Sequence, residues 1–221
     1  LLNGNENGSV WKLETNNSNK WLEIVNNNTW RKLKEITKVR VGVKTTADKV
    51  FIRDDWDTIC SGQLPETLRP LITHHLAERF TCHKPSKNIL YTHEIKNNKK
   101  QAIDLDIFPN ASKYLSLHRK QLEGRNYVIK AGRKWYEIWV SHNPSEWKKP
   151  KIVFKDISVE PTFWLDLNGY MVNGDCYWFT VNHENEDLIY LILGVFNTTF
   201  IEKYYDTCFK NKLYSGRRRF M

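Results

Sequence analysis

Between Lys130 and Lys155 the sequence interleaves the side-chain types that grip and read a nucleic acid. Arg133 and Lys134 can reach phosphates or a guanine edge, Asn143 can read adenine, and Trp135, Tyr136, Trp139 and Trp147 can stack or wedge. Lys148, Lys149 and Lys151 surround Pro150 and are expected to be exposed and phosphate-facing. The aromatic residues admit a second role, because Trp135, Ile138 and Trp139 stand at i, i+3 and i+4 and would also suit a core face.

Machinery for catalysis is harder to find. The chain has no G-x-G-x-x-G, P-loop, G-x-S-x-G or H-E-x-x-H string. Glu94-Ile95-Lys96 gives one E-x-K, which with Asp54 and Asp55 could bind Mg²⁺ and place a lysine for phosphodiester hydrolysis. His74, His75, Cys82, His83 and His93 crowd one region, yet their spacing matches no standard zinc pattern. The four cysteines, Cys60, Cys82, Cys176 and Cys208, form no C-x-x-C pair, and a reducing cytosol is the simplest inference.

Charge points the same way as the aromatic-basic segment. The formal net charge is +9 over 221 residues. Residues 31–53 carry eight basic and two acidic side chains, residues 130–155 seven and two, and residues 202–221 six and two. The remainder of the chain is therefore net acidic, and such segregation suits a surface that tracks a phosphate backbone. Arg217-Arg218-Arg219 fits either a DNA-contacting tail or a solvated terminus.

The elements that would position these residues follow from periodicity. Asn16–Lys34 is helix-competent, interrupted at Asn26-Asn27-Asn28. Val39, Val41 and Val43 alternate with polar or small residues as in a strand, and Val50–Ile52 offers a second short one. Leu64 to Phe80 keeps a helical stripe through Leu68, Leu71, Ile72, His75 and Leu76, with Pro70 near the first turn. Ile89–Tyr91 reads as a strand, Asn97–Gln101 as a turn or loop, and Ser112–Gln121 as a helix closed by Gly124. A strand over KIVFKDIS, a hairpin over Phe163–Thr180, an amphipathic helix over Asp187–Phe200 and a further helix over Ile201–Leu213 complete the chain. Helices and strands intermingle without a βαβα rhythm, so the expected class is α+β, with mixed small sheets, packed helices and a helical C-terminal segment. No stretch approaches the roughly 20 apolar residues of a membrane helix, and no membrane role is expected. LLNGNENGSV has neither an initiator Met nor a signal-peptide pattern, so the chain is read as part of a longer one.

Three strings, VGVKTTADKVFI at Val41–Ile52, LEGRNYVIKAGRKWYEIWVSHNPSEWKKPKIVFKDIS at Leu122–Ser158 and DLIYLILGVFNTTF at Asp187–Phe200, occur in an order that resembles the TaqI-like C-terminal specificity domain of adenine-specific restriction-modification methyltransferases. The resemblance runs from about Trp30 to the end. It implies a residue 1–35 helical connector, a DNA target-recognition domain over 36–185, and a C-terminal helical segment with a basic tail over 186–221. Gly42, Thr45, Asp48 and Phe51 match the family's G-hydrophobic-x-T-G-x-N/D-x-x-F loop, a phosphate-facing turn, although Thr46 replaces its glycine. Arg133, Trp135 and Tyr136 match its basic-aromatic stretch, and Pro150-Lys151-Ile152 its return strand, in which Lys155 replaces a frequent proline.

In such enzymes S-adenosylmethionine and the catalytic N-P-P-Y/F motif belong to an N-terminal domain. Asn143-Pro144-Ser145-Glu146 lacks that motif's second proline and aromatic, and is read as a turn. The resemblance thus implies double-stranded DNA and an N-terminal methyltransferase domain as partners, a cytoplasmic location, no cofactor or metal within this chain, and no catalytic residues of its own. Its expected DNA contacts are Lys44, Thr45, Arg133, Lys134, Trp135, Tyr136, Asn143, Lys148, Lys149 and Lys151. Two other readings stand beside it: an independent Mg²⁺-dependent nuclease, and a protein-interaction domain with a merely solubilising tail.

Overall fold

The computed structural model describes residues 2–3, 12–13, 16–181, 187–209 and 216–220. Strands β1 (Leu2–Asn3) and β2 (Lys12–Leu13) pair antiparallel. The expected broken helix is α1 (Asn16–Asn27) and α2 (Leu33–Ile36), and at the break Asn28 Nδ2 and Thr29 Oγ1 donate back to the carbonyls of Ile24 and Val25. The valine alternation yields β3 (Arg40–Val41). Val50–Ile52 is not a strand: it is divided between the short helix α3 (Asp48–Phe51) and β4 (Ile52–Arg53), and α4 (Trp56–Ile59) follows.

Leu64–Phe80 departs furthest from its expected helix. It forms β5 (Leu68–Ile72) and a 3-10 turn at His74–Leu76. The spacing of Leu68, Leu71 and Ile72 serves either state, but β6 (Asn88–Leu90) supplies partners in the register Leu68↔Leu90, Arg69↔Ile89 and Pro70↔Asn88. Pro70, which would break a helix interior, sits within this strand. Next come a two-stranded ribbon of β7 (His93–Lys96) and β8 (Lys99–Ala102), and three short helices, α5 (Pro109–Leu117), α6 (Arg119–Glu123) and α7 (Asn126–Lys130). The helix expected at Ser112–Gln121 thus starts earlier, at Pro109, and breaks at His118. Gly124 does follow it, but in the right-handed region at φ −63°.

The second half is built around β9 (Lys151–Lys155), with β10 (Ile157–Ser158), β11 (Phe163–Asp166), β12 (Met171–Val172) and β13 (Cys176–Phe179), then α8 (Leu188–Phe196), α9 (Thr199–Cys208) and β14 (Arg218–Arg219). The expected hairpin over Phe163–Thr180 is not formed, because β11 and β13 pair antiparallel with opposite edges of β9. Between them β12 crosses to the other sheet and runs parallel to β5. Two four-stranded sheets result, one ordered β11-β9-β13-β3 and the other β12-β5-β6-β4. The α+β class therefore holds, with mixed small sheets and packed helices.

Period-two alternation assigns the two faces of the β9 sheet to different cores. Val153, Trp164, Cys176 and Trp178 join Phe51, Leu71, Ile89, Leu115 and Leu122 in a large core with the second sheet and helices α3–α6. Ile152, Phe154, Phe163 and Phe179 point the other way, against Ile189, Ile192 and Leu193 of α8, Tyr205 of α9 and Phe220. Each fully buried apolar side chain of this size contributes roughly 1.5–3 kcal/mol, and β9 is buried on both faces. None of the described helices is long and apolar enough to cross a membrane.

A candidate nucleic-acid interface

Residues 133–142 form no helix or strand, and their polar groups are satisfied partly by isolated backbone contacts and partly through side chains. Half-buried Arg133 stacks its guanidinium 4.6 Å from the Trp139 ring and donates to the Trp139 carbonyl at 2.6 Å. Glu137 accepts from the Lys134 amide at 2.8 Å and lies 3.3 Å from Nε2 of His93. Burial opposes ionisation of Glu137, yet these hydrogen bonds and the charge of Arg133 hold its carboxyl below the usual range. Burial pushes the His93 imidazole the same way, below its ordinary value, and so outweighs Glu137. Tyr136 is buried, its hydroxyl donating to the Ile103 carbonyl at 2.7 Å, and Trp135 packs against the large core with Arg119 over its ring. The core role of the aromatic residues thus prevails for Tyr136, Trp135 and Trp147, the last only 3% exposed.

Beyond this segment, Asn143 caps the 3-10 turn Pro144–Lys148 by accepting the Ser145 amide at 3.0 Å. The turn expected at Asn143–Glu146 is present. Asn143 itself is exposed, but its carbonyl oxygen is already occupied by Ser145. Lys149 is exposed and pairs with Glu146 at 2.6 Å, while Lys148 is exposed with no ion-pair partner among the described residues.

Lys151 overturns its expectation. It is fully buried, not phosphate-facing, and its ammonium pairs with Asp166 and donates to the Trp147 carbonyl at 2.8 Å. The reason is strand period: Lys151 and Val153 share a face, and Asp166 stands directly opposite Lys151 in the β9–β11 register. Burial drives the Lys151 pKa below its ordinary value against the pull of Asp166. Asp166 also accepts the amides of Asn168 and Tyr170, each at 3.0 Å, so one carboxylate orders both the lysine and the following turn.

The loop at 42–48 shows a similar division. Gly42 is required, because a Cβ there would lie 2.0 Å from the Asn173 carbonyl oxygen. Thr46 adopts φ +60°, so the left-handed geometry is kept without the family's glycine. Thr45, expected to face phosphate, is instead buried with its hydroxyl bonded to Asp48 and accepting the Ala47 amide at 3.1 Å. Lys44 is exposed, and its side chain has no hydrogen-bond or ion-pair partner among the described residues. Its backbone bridges Val140 in both directions, at 3.1 and 3.0 Å, and Nε2 of His142 donates to the Val41 carbonyl at 2.6 Å. Lys44 is thereby set beside Val140, at the end of the aromatic-basic segment.

Two important residues escaped the sequence reading. Arg125, 6% exposed, donates to the carbonyls of Thr45 at 2.9 Å and Trp135 at 2.5 Å, fastening the 42–48 loop to the aromatic-basic segment. Arg69 faces a cavity of about 410 Å³ whose wall also includes Tyr91, His93, Ile95, Trp147 and Lys148. Nothing in a single sequence distinguishes either arginine from a surface cation. Burial pushes the Tyr91 hydroxyl to about 12, so it stays protonated and donates to the Ser141 carbonyl at 2.7 Å.

Within the basic tail Arg217 is exposed, but Arg218 and Arg219 are neither a free DNA arm nor simply solvated. Arg218 is buried, bonding Asp206 at 2.6 and 2.8 Å, Glu202 at 2.7 Å and the Val159 carbonyl, and Arg219 pairs with Asp156 at 3.4 Å. Among the expected nuclease residues, Asp55 is held by Arg53 at 2.7 and 2.8 Å and Glu94 accepts from Gln101 at 2.9 Å. No three His, Cys, Asp or Glu side chains gather to hold a metal ion among the described residues. The four cysteines are unpaired.

Residues 87–217 match the family described as the TaqI-like C-terminal specificity domain. The chain is 43% identical over 216 residues to the type II methyltransferase M.BanIII of Aneurinibacillus aneurinilyticus, covering 96% of this chain and 37% of that protein. It is 28% identical over 160 residues to the type II methyltransferase M.BstVI of Geobacillus stearothermophilus, covering 71% of this chain and 27% of that one. The chain thus spans about a third of the length of the curated relatives it matches. A structure of the type IIL restriction-modification enzyme MmeI in complex with DNA superposes with a TM-score of 0.48 at 10% identity, over 77% of this chain and 22% of that one. Ordered strings, matched residues and relatives agree, and the chain belongs to the TaqI-like C-terminal specificity domain family.

Proposed function

We propose that this chain is the DNA sequence-recognition domain of a restriction-modification adenine-N6 methyltransferase. It binds duplex DNA and positions it for an S-adenosylmethionine-dependent catalytic domain elsewhere in the same protein. The observation that carries this reading is the family match across residues 87–217. Exposed, unpartnered Lys44 and Lys148, with Lys134 and Lys149 nearby in the chain, support it, because mobile cations on a surface release condensed counterions when they meet phosphates. Buried Lys151, Thr45 and Tyr136 are not contacts in this reading; they hold the surface in shape. Residues 1–35 serve as the connector to the catalytic domain and 36–185 as the recognition unit, and α8–α9 within 186–221 complete the core beneath β9. S-adenosylmethionine is bound by the catalytic domain, and the protein works on cytoplasmic DNA.

Fluorescence anisotropy of the protein with a mixed duplex, across a salt series, tests the reading. Affinity is expected to fall steeply as salt rises, and the DNA is expected to remain uncut in Mg²⁺. Flat or negligible binding would refute the recognition-domain reading, and Mg²⁺-dependent cleavage that vanishes in Asp54→Ala or Glu94→Gln would assign the nuclease instead.

A further inference from the structure

The β7–β8 ribbon belongs to neither four-stranded sheet. Its base is anchored: His93, 5% exposed, pairs across to Ala102 and reaches Glu137, while the Ile103 amide donates to the Thr92 carbonyl at 3.1 Å. Beyond that base every residue from Ile95 to Gln101 is exposed. At the tip Asn97 and Asn98 are both left-handed, with φ 52° and 59°, the two-residue turn whose twist suits a ribbon. Lys96 stands directly opposite Lys99, and Lys100 comes next, donating to the Ser141 hydroxyl at 3.2 Å. Like charges facing across a strand pair oppose folding. Among the described residues, the side chains of Lys96, Asn97, Asn98 and Lys99 have no hydrogen-bond or ion-pair partner. Lysines on a free strand edge also discourage stray sheet pairing, but that role asks nothing of two amides at the tip.

We propose that this ribbon enters the major groove of duplex DNA, with Asn97 and Asn98 reading base edges and Lys96 and Lys99 meeting the flanking phosphates. The proposal deepens the recognition-domain reading and rests on it. A major groove about 12 Å wide admits a two-stranded ribbon, and an asparagine amide offers the donor and acceptor that match N6 and N7 of adenine. Glu94 and Ile95 of the ribbon line the same cavity as Ser145 and Lys148, so the ribbon adjoins Lys148 of the proposed surface.

The test compares the full-length protein with its Asn97→Gly/Asn98→Gly variant. Glycine keeps the left-handed turn while removing both amides. Each protein selects from a pool of randomised duplexes, and selected sites are remade with 7-deazaadenine at single adenines. The wild type is expected to enrich a motif and to lose about tenfold in affinity when one particular adenine lacks N7. The glycine variant is expected to lose about tenfold in selectivity at that position, to ignore the deaza substitution, and to keep its salt dependence. A Lys96→Gln/Lys99→Gln variant should keep the motif while the slope of log K against log salt falls by about 0.9 per lysine. Should the glycine variant misfold in a thermal melt, Asn97→Asp/Asn98→Asp, which tolerates the same turn, should show the same lost position. An unchanged motif and selectivity in the amide variants would overturn the ribbon proposal and leave the recognition domain standing. A wild type that enriches no motif would overturn both.

Discussion

Residues 93–102 and 133–151 are both basic, yet their cations meet different ends. In the second segment Arg133 serves carbonyls of its own loop, Lys149 pairs with Glu146 and Lys151 is sealed against Asp166. In the first, only Lys100 has a hydrogen-bond partner among the described residues. The backbone accounts for Arg133, whereas Lys151 lies within the β9 ladder and is captured by burial opposite Asp166, and Lys148 stays exposed. The ribbon satisfies its amides and carbonyls by pairing strand with strand, which leaves its side chains free. Residues 133–142 have only an isolated bridge to Lys44, so the Arg133 side chain donates to carbonyls of the loop, and a cation used to order a loop is not available to a phosphate.

The largest test of this contrast is Lys151→Ala. Removing one partner of a buried pair leaves an uncompensated charge, so stability to urea should drop by about 3–5 kcal/mol, and Asp166→Ala should do the same. Lys151→Met with Asp166→Leu should recover most of the loss. If Lys151→Ala instead spares stability and flattens the salt dependence of DNA binding, Lys151 belongs with the free cations after all. Next in size, Lys44→Gln with Lys148→Gln should lower the slope of log K against log salt by about 0.9 per lysine, with affinity near 0.1 M salt falling on the order of tenfold to a hundredfold. Anisotropy titrations at four salt concentrations would measure it, with unchanged thermal melting as the control.

A smaller effect is expected at Thr46, whose φ of +60° disfavours a β-branched residue. Thr46→Gly should raise stability by about 1 kcal/mol. The smallest effect is pH dependence. Burial lowers the imidazole pKa of both His93 and His142 in the folded protein. The unfolded chain therefore binds more protons than the folded one just below pH 6.5, so this contribution is present above pH 6.5 and is lost as pH falls toward the lower folded values. Glu137, also lowered, adds a loss of the same sign below its unfolded value near 4.5. Urea midpoints at pH 7.5, 6.5 and 5.5 should decline in that order, and less steeply in His93→Gln.

Much of this organisation was legible in the residues. The β-rich run KIVFK gives β9, the apolar run after Asp187 gives α8, and the asparagines at 26–28 mark the helix break. The missed parts share a cause. Leu68, Leu71 and Ile72 carry a spacing that fits helix and strand alike, and the choice was made by Leu90 and Ile89, partners distant in sequence. Phe163–Thr180 suggests a hairpin through Asn168-Gly169 or Asn173-Gly174, yet β9 lies between β11 and β13. The candidate surface was half legible. Lys44 and Lys148 are exposed as expected, whereas Lys151 needed the register of Asp166 to be recognised as interior. Asn97–Gln101 reads as a turn or loop, since NNKKQ gives no strand pattern until the ribbon is paired.

The isolation of that ribbon also bears on how the protein can change through descent. Exposed positions away from any buried partner usually alter stability by no more than about 0.5 kcal/mol when substituted, so Lys96 and Lys99 can drift singly without nearing the threshold of unfolding. Lys151 and Asp166 have no such freedom, because either change alone strands a charge in the core. Divergence between lineages is thereby channelled toward the tip of the ribbon, where the surface can be rewritten one residue at a time while the sheet beneath stays fixed.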